Sequence, residues 1–119
     1  MPIVKVSMLE GKSVAYKKKL LDCIHNGLEE AFGIDSEDRF QRIEEYSQEN
    51  FETASSKSKD FMIIELTIFP GRSREKKREA IERMTEHINS TLQISKKDIF
   101  IIFYEPPLEN WGMTGKQKE

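Results

Sequence analysis

Residues 3–51 repeat themselves sixty positions on, without a gap, and this self-similarity restricts the chain more than any other feature in it. Ile3 falls on Ile63, Gly11 on Gly71, Ser13 on Ser73, Lys17 on Lys77 and Ile34 on Ile94. Farther along, Asp38 falls on Asp98, Phe40 on Phe100, Glu45 on Glu105, and Glu49-Asn50-Phe51 on Glu109-Asn110-Trp111. Whatever fold is assigned to residues 3–51 must therefore also suit residues 63–111, and the two copies must bury each other's apolar surface.

Each half reads strand, helix, strand. Ile3 to Leu9 is β-rich and stops at Glu10-Gly11, after which Ser13 is placed to cap a helix. In that helix Leu20, Leu21, Ile24, Leu28, Ala31 and Phe32 recur at spacings of three and four, and Gly33 is a suitable stop. His25 lies among them and is read as a helix-surface or core histidine. Cys23, the only cysteine, is read as core packing, so no disulfide forms within the chain and a reducing compartment is expected. Arg39 to Tyr46 predicts a second, partly exposed strand. Ser47 to Lys59, polar and without an apolar period, predicts a loop or irregular hairpin. In the second half Met62 to Phe69 is almost continuously apolar, as suits a strand buried on both faces. Ser73 caps a helix with Ile81, Met84, Ile88 and Leu92 on its apolar stripe, and Ile99 to Tyr104 is the last strand, ended by Pro106-Pro107.

A crossover this short, containing one helix, implies a parallel, right-handed βαβ unit. Two units side by side give an α/β (α+β) fold: a four-stranded sheet with both helices on one face, in a single domain spanning residues 1–119. The opposite face carries apolar residues at successive positions of the third and fourth strands, so a further subunit is expected to cover it. Nothing in the charge balance draws the chain to nucleic acid, because 19 basic and 21 acidic residues leave a net charge of -2. No stretch approaches the roughly 18 apolar residues of a membrane span, and a soluble, cytoplasmic protein is expected.

Differences between duplicated copies are where an asymmetric site can arise. Pro2 has Met62 as its mate, Lys12 has Arg72, and Val14 has Arg74. Loss of the initiating methionine, usual before a small residue, would leave Pro2 as a secondary amine, and burial or nearby cations favour the neutral form of such a group. The turn Gly71-Arg72-Ser73-Arg74 sets two guanidiniums beside a helix N-terminus, where free N–H groups already favour an anion and arginine can grip a carboxylate through two parallel hydrogen bonds. The plain alternatives are a strand-initiating proline and two exposed arginines on a charged helix start. Strand order alone does not make Pro2 and Arg72 neighbours.

An N-terminal proline, a duplicated βαβ unit and a Gly-Arg-Ser turn into the second helix together resemble the tautomerase superfamily over nearly the whole chain. Within it the sequence is most similar to the malonate semialdehyde decarboxylase group, through Glu10-Gly11, Ala31-Phe32-Gly33, Asp38-Arg39-Phe40-Gln41, Arg72-Ser73-Arg74 and Glu109-Asn110-Trp111-Gly112. The resemblance implies an active site made of the Pro2 amine, Asp38, Arg72 and Arg74, with Trp111 and Met113 in its wall, in a homotrimer of duplicated chains. That group has Arg-Pro-Arg at the turn where this chain has Arg72-Ser73-Arg74, and aligning both arginines shifts the following helix by one residue. Arg72 is thus the closer match of the two. The C-terminal tail beyond Trp111 and Met113 is also shorter here.

The activity so implied is that of a cofactor-independent tautomerase on a small 2-oxo or enol carboxylate, with no metal. Decarboxylation or hydration of a 3-oxo acid, with Pro2 protonated, would use the same residues. A non-catalytic α/β binding module is the alternative of a different class. RNA binding would call for a basic patch interleaved with the strand aromatics Phe100, Phe103 and Tyr104, and the chain offers none.

Overall fold

In the computed structural model, which describes residues 1–119, the chain runs β1 (Ile3–Leu9), α1 (Val14–Phe32), β2 (Phe40–Tyr46), β3 (Met62–Thr67), α2 (Arg74–Leu92) and β4 (Ile99–Tyr104). A small hairpin of β5 (Gly112–Met113) and β6 (Lys116–Gln117) ends it. The two copies begin their helices in the same way. Gly11 and Gly71 take φ of +116° and +119°, a region that side chains disfavour. Ser13 and Ser73 then accept the N–H groups of Tyr16 and Lys76 at 3.0 and 3.1 Å, satisfying one orphan donor of each helix.

The four long strands are ordered β2-β1-β3-β4. β1 with β2 and β3 with β4 are parallel, as short helical crossovers require, whereas the central pair β1 and β3 is antiparallel, with Ile3 opposite Thr67 and Met8 opposite Met62. The two units are thus related by an approximate two-fold axis between β1 and β3. Both helices lie on one face of the sheet. There Val4, Val6, Met62, Ile64 and Leu66 meet Leu20, Ile24, Leu28, Ala80, Met84 and Ile88, all essentially inaccessible to water. Truncating any of the larger ones to alanine would cost about 2–5 kcal/mol.

Where the helices cross, an added Cβ on Gly27 would lie 2.7 Å from the Met84 backbone nitrogen, so only glycine permits this approach. Cys23 is buried beside the same crossing, its thiol 3.5 Å from the His87 carbonyl oxygen, and burial raises its pKa. Such a thiol is an inert core residue. His25 is likewise buried, with Glu29 at 3.4 Å.

One expectation is corrected. β3 is not buried on both faces within one chain: Met62, Ile64 and Leu66 face the helices, while Ile63, Glu65 and Thr67 alternate onto the open side and stay partly accessible. Phe40, Phe100, Ile102 and Tyr104 are also exposed. The apolar run reflects two faces with different fates. Residues 47–59 form the expected irregular connection, with one short 3-10 turn at Gln48–Asn50, and it is anchored. Phe51 stacks on Tyr46 at 5.5 Å and leans on Phe61 at 6.1 Å, and Ser58 is fastened to Asp98. Aromatic anchors spaced too widely to show a period fix this segment.

Candidate active site

Three strand registers build the site. The parallel pairing of β1 with β2 sets Ile3 beside Phe40, so one step back Pro2 falls beside Arg39, and two steps back Met1 falls beside Asp38. The antiparallel pairing of β1 with β3 sets Ile3 opposite Thr67, so the start of β1 lies at the end of β3, from which Phe69-Pro70-Gly71 turns the chain into Arg72 and α2. Sequence reasoning left Pro2 and Arg72 unconnected because the antiparallel join between the two units leaves no local signature.

Pro2 is buried, and the chain carries Met1 ahead of it, whose amine lies 3.7 Å from Asp38 Oδ2. Burial pushes that amine below its ordinary value; Asp38 opposes the shift, and the charges of Arg72 and Lys118 add to it. Arg72 is half-buried with its guanidinium 4.3 Å from the centre of the Phe32 ring, a cation–π contact, and has no carboxylate within ion-pair distance. Burial lowers its pKa, with Asp38 and Glu105 pulling the other way. A partly desolvated cation that lacks a close anion of its own is disposed to bind one from solution.

The structure gathers Pro2, Asp38 and Arg72 at one end of the sheet and treats the other expected residues differently. Arg74 opens α2 exposed, with no side-chain hydrogen bond or ion pair. Trp111 is buried: its ring meets Phe69 edge-on at 4.6 Å, and its indole N–H donates to the Pro106 carbonyl at 3.1 Å. It therefore supports Phe69 more than it faces solvent. Met113 pairs with Lys116 in the terminal hairpin and contributes to a separate surface cavity of about 380 Å³.

Sequence reasoning passed over Phe32, Glu105 and Lys118. Phe32 looked like one more apolar stripe residue. Glu105 and Lys118, with Pro70, line a cavity of about 650 Å³ beside the turn that carries Arg72. The backbone N–H of Lys118 donates to the Trp111 carbonyl at 2.9 Å, and its ammonium lies 5.1 Å from the Phe69 ring centre. Only the repeat could have flagged it, since at the same offset Lys118 falls on Ser58.

Two family descriptions, each worded "tautomerase enzyme", match residues 38–114 and residues 2–56. The chain is 27% identical over 117 residues to a probable tautomerase, YrdN, of Bacillus subtilis (strain 168), covering 94% of this chain and 90% of that protein. A second probable tautomerase of the same organism, YusQ, is 26% identical over 117 residues, covering 94% and 92%. Among solved structures, malonate semialdehyde decarboxylase superposes with a TM-score of 0.86 at 23% identity, covering 96% of this chain and 91% of that one. A fused 4-OT wild type asymmetric trimer gives 0.86 at 18%, covering 97% and 94%. These likenesses are to the same four-stranded, two-helix architecture. The chain belongs to the tautomerase superfamily of enzymes.

Proposed function

We propose that this enzyme is a cofactor-independent tautomerase that moves a proton between oxygen and carbon of a small 2-oxo or enol carboxylate. The observation that carries the reading is the meeting of the β1 start, Asp38 and an Arg72 without an anion of its own at one end of the sheet. With Met1 removed, the Pro2 nitrogen becomes a secondary amine one residue farther into the protein. The same burial and the same Arg72 charge then favour its neutral form. Arg72 holds the substrate carboxylate through two hydrogen bonds. The Pro2 nitrogen takes the enol hydroxyl proton as the C=O bond forms and returns a proton to the carbon terminus of the former double bond, so nothing is oxidised or reduced. Asp38 orients the resulting ammonium and polarises the substrate or a water.

Decarboxylation of a 3-oxo acid would instead need Pro2 protonated, and Asp38 is the one group here that favours that form. At the Met1 amine, one residue away, burial and the Arg72 charge act against the protonated form, which supports the base over the acid. The assembly that fits is a homotrimer in which neighbours cover Phe40, Phe100, Ile102 and Tyr104, residues that a monomer leaves about 40–50% exposed. Sedimentation should give three chains, and a stable monomer at micromolar concentration would overturn that part.

The test of the chemistry is a variant with one residue added ahead of Pro2, which turns its nitrogen into a non-basic amide and leaves all side chains in place. Mass spectrometry of the unmodified protein should show Met1 absent. The extended form should keep its assembly state and lose at least the 10²- to 10⁴-fold that a positioned base supplies, assayed with phenylpyruvate. Wild-type turnover by the extended form would sink the proline mechanism.

A further inference from the structure

We propose that Lys118, carried in by the terminal hairpin, is the second cation of the substrate-carboxylate site, the place that Arg74 was expected to fill; this rests on the tautomerase reading above. Four observations place it there. The β5–β6 hairpin folds the tail back so that the Lys118 N–H donates to the Trp111 carbonyl at 2.9 Å, fixing where the side chain starts. Its ammonium then lies over Phe69, at 5.1 Å from the ring centre, and Phe69 is itself held edge-on by Trp111. Phe69 is also the residue from which the chain turns toward Arg72, so Lys118 and Arg72 flank one segment. Finally, Lys118 has no carboxylate within ion-pair distance, and it is the one cation in the lining of the 650 Å³ cavity beside the Arg72 turn, whose other charged residues are Glu105, Glu109 and Glu119.

Its charge acts on the chain terminus as well, lowering the amine in the same direction as Arg72. Arg74 has none of these relations: it points into solvent from the first turn of α2 and does not bear on the amine. The repeat supplies an independent check on placement. The mate of Lys118 is Ser58, which in the other copy reaches Asp98, the mate of Asp38, with its N–H at 3.0 Å and its hydroxyl at 2.6 Å. In that copy a hydroxyl reaches the aspartate, while here the Lys118 cation is felt at the Met1 amine, which lies beside Asp38. A lysine is a compact point charge on a flexible stem, suited to follow a carboxylate that Arg72 holds in a fixed fork. Lys118 is thus a substrate-positioning residue that also helps keep the amine neutral.

The test uses Lys118→Met, Lys118→Arg, Arg74→Met and Arg72→Ala in the full chain, with two readouts that need no turnover. The first is the dissociation constant of pyruvate followed by NMR. Lys118→Met should weaken it about tenfold, the size of one charge-assisted hydrogen bond, while Lys118→Arg restores it to within about threefold and Arg74→Met changes it less than about twofold. The second is the pH dependence of reductive methylation of the chain-terminal amine, which should shift to higher pH in Lys118→Met and return in Lys118→Arg. With phenylpyruvate, Lys118→Met should act mainly on KM at a pH where the amine is neutral.

Loss of pyruvate binding in Arg72→Ala with no change of either readout in Lys118→Met overturns this inference and leaves the tautomerase reading standing. The inference fails equally if Arg74→Met weakens pyruvate more than Lys118→Met does. Turnover retained by the chain extended ahead of Pro2, with Lys118→Met still weakening pyruvate, removes proline catalysis and keeps the lysine in the anion site.

Discussion

The two copies of the βαβ unit share one backbone frame and end in opposite chemistry. At the β1 end, Asp38 lies 3.7 Å from the Met1 amine and stays about a quarter exposed. At the β3 end, residues 57–61 lead into the strand and bring Ser58 onto the matching aspartate. Asp98 is 2% exposed and accepts both the N–H and the hydroxyl of Ser58. Lys12, the mate of Arg72, is paired with Asp60 and lies 4.9 Å from the Tyr16 ring centre. Burial, with the Asp60 charge added, pushes the Tyr16 phenol up to about 12, so that phenol stays protonated near neutrality. Thus one cation is paired within its own chain, and the other has no carboxylate within ion-pair distance. The two frames share a backbone, and residues 57–61 close one of them.

The sharpest way to break this comparison is to truncate the paired positions Pro2 and Met62. Pro2→Ala keeps a titratable amine but changes its basicity and rigidity, and activity should fall by about 10²- to 10⁴-fold. The melting temperature should barely move, because a strand-initiating proline donates no ladder hydrogen bond. Met62→Ala should do the reverse. Met62 is fully buried against the helices, so the variant should lose about 2–5 kcal/mol in urea titration while activity per folded molecule holds. Equal losses of activity from both would mean that the two ends are chemically alike.

Much of this architecture was legible from periodicity and punctuation. The matched glycines at 11 and 71, the serine caps at 13 and 73 and the apolar stripe of the first helix stand in the structure where their spacing put them, whereas in the second helix Met84 and Ile88 are buried as expected but Ile81 is exposed and Ala80 takes its place in the core. These are local features, each decided within a turn or two of chain. What was not legible is long-range. The antiparallel β1–β3 join that brings Pro2 to Arg72 is selected by how two finished units bury each other, and the fixing of Ser58 to Asp98 spans 40 residues. Arg74 and Lys118 show the same limit. A motif drew attention to the first, which the helix turns outward, while the second stands in a polar tail that only folding returns to Trp111.

The aspartates sharpen the comparison at intermediate cost. Burial alone would raise the Asp98 pKa, but the two Ser58 hydrogen bonds and the charges of Lys97 and Lys57 outweigh it and hold the carboxyl below its ordinary range. A carboxylate depressed in the folded state contributes stability that is complete above its unfolded value and is lost as pH falls through the folded one. Asp98→Asn should therefore cost about 1–2 kcal/mol near neutrality, and its stability should fall less steeply than the wild type below the carboxylate range. Asp38→Asn, at the open end, should leave urea stability within about 0.5 kcal/mol and act on turnover instead.

The smallest effect is the most discriminating, because it starts from a contact that both copies share. Lys17 bonds Glu45 at 3.2 Å, and its mate Lys77 bonds Glu105 at 2.8 Å, all four side chains being roughly one-quarter to one-third exposed. Partly exposed pairs of this kind are worth little, so Lys17→Met and Lys77→Met should each cost no more than about 1 kcal/mol. Activity should separate them. Glu105 is close enough to Arg72 for its charge to be felt there, so releasing it from Lys77 gives Arg72 a competing anion. A gain of about 0.5 kcal/mol in that competition corresponds to roughly a twofold rise in KM, seen for Lys77→Met and reduced at high salt. Glu45 has no such neighbour to capture, because Lys12 is already held by Asp60, and Lys17→Met should leave KM where it is. A matching KM change in both variants would show that the closed end still communicates with the substrate.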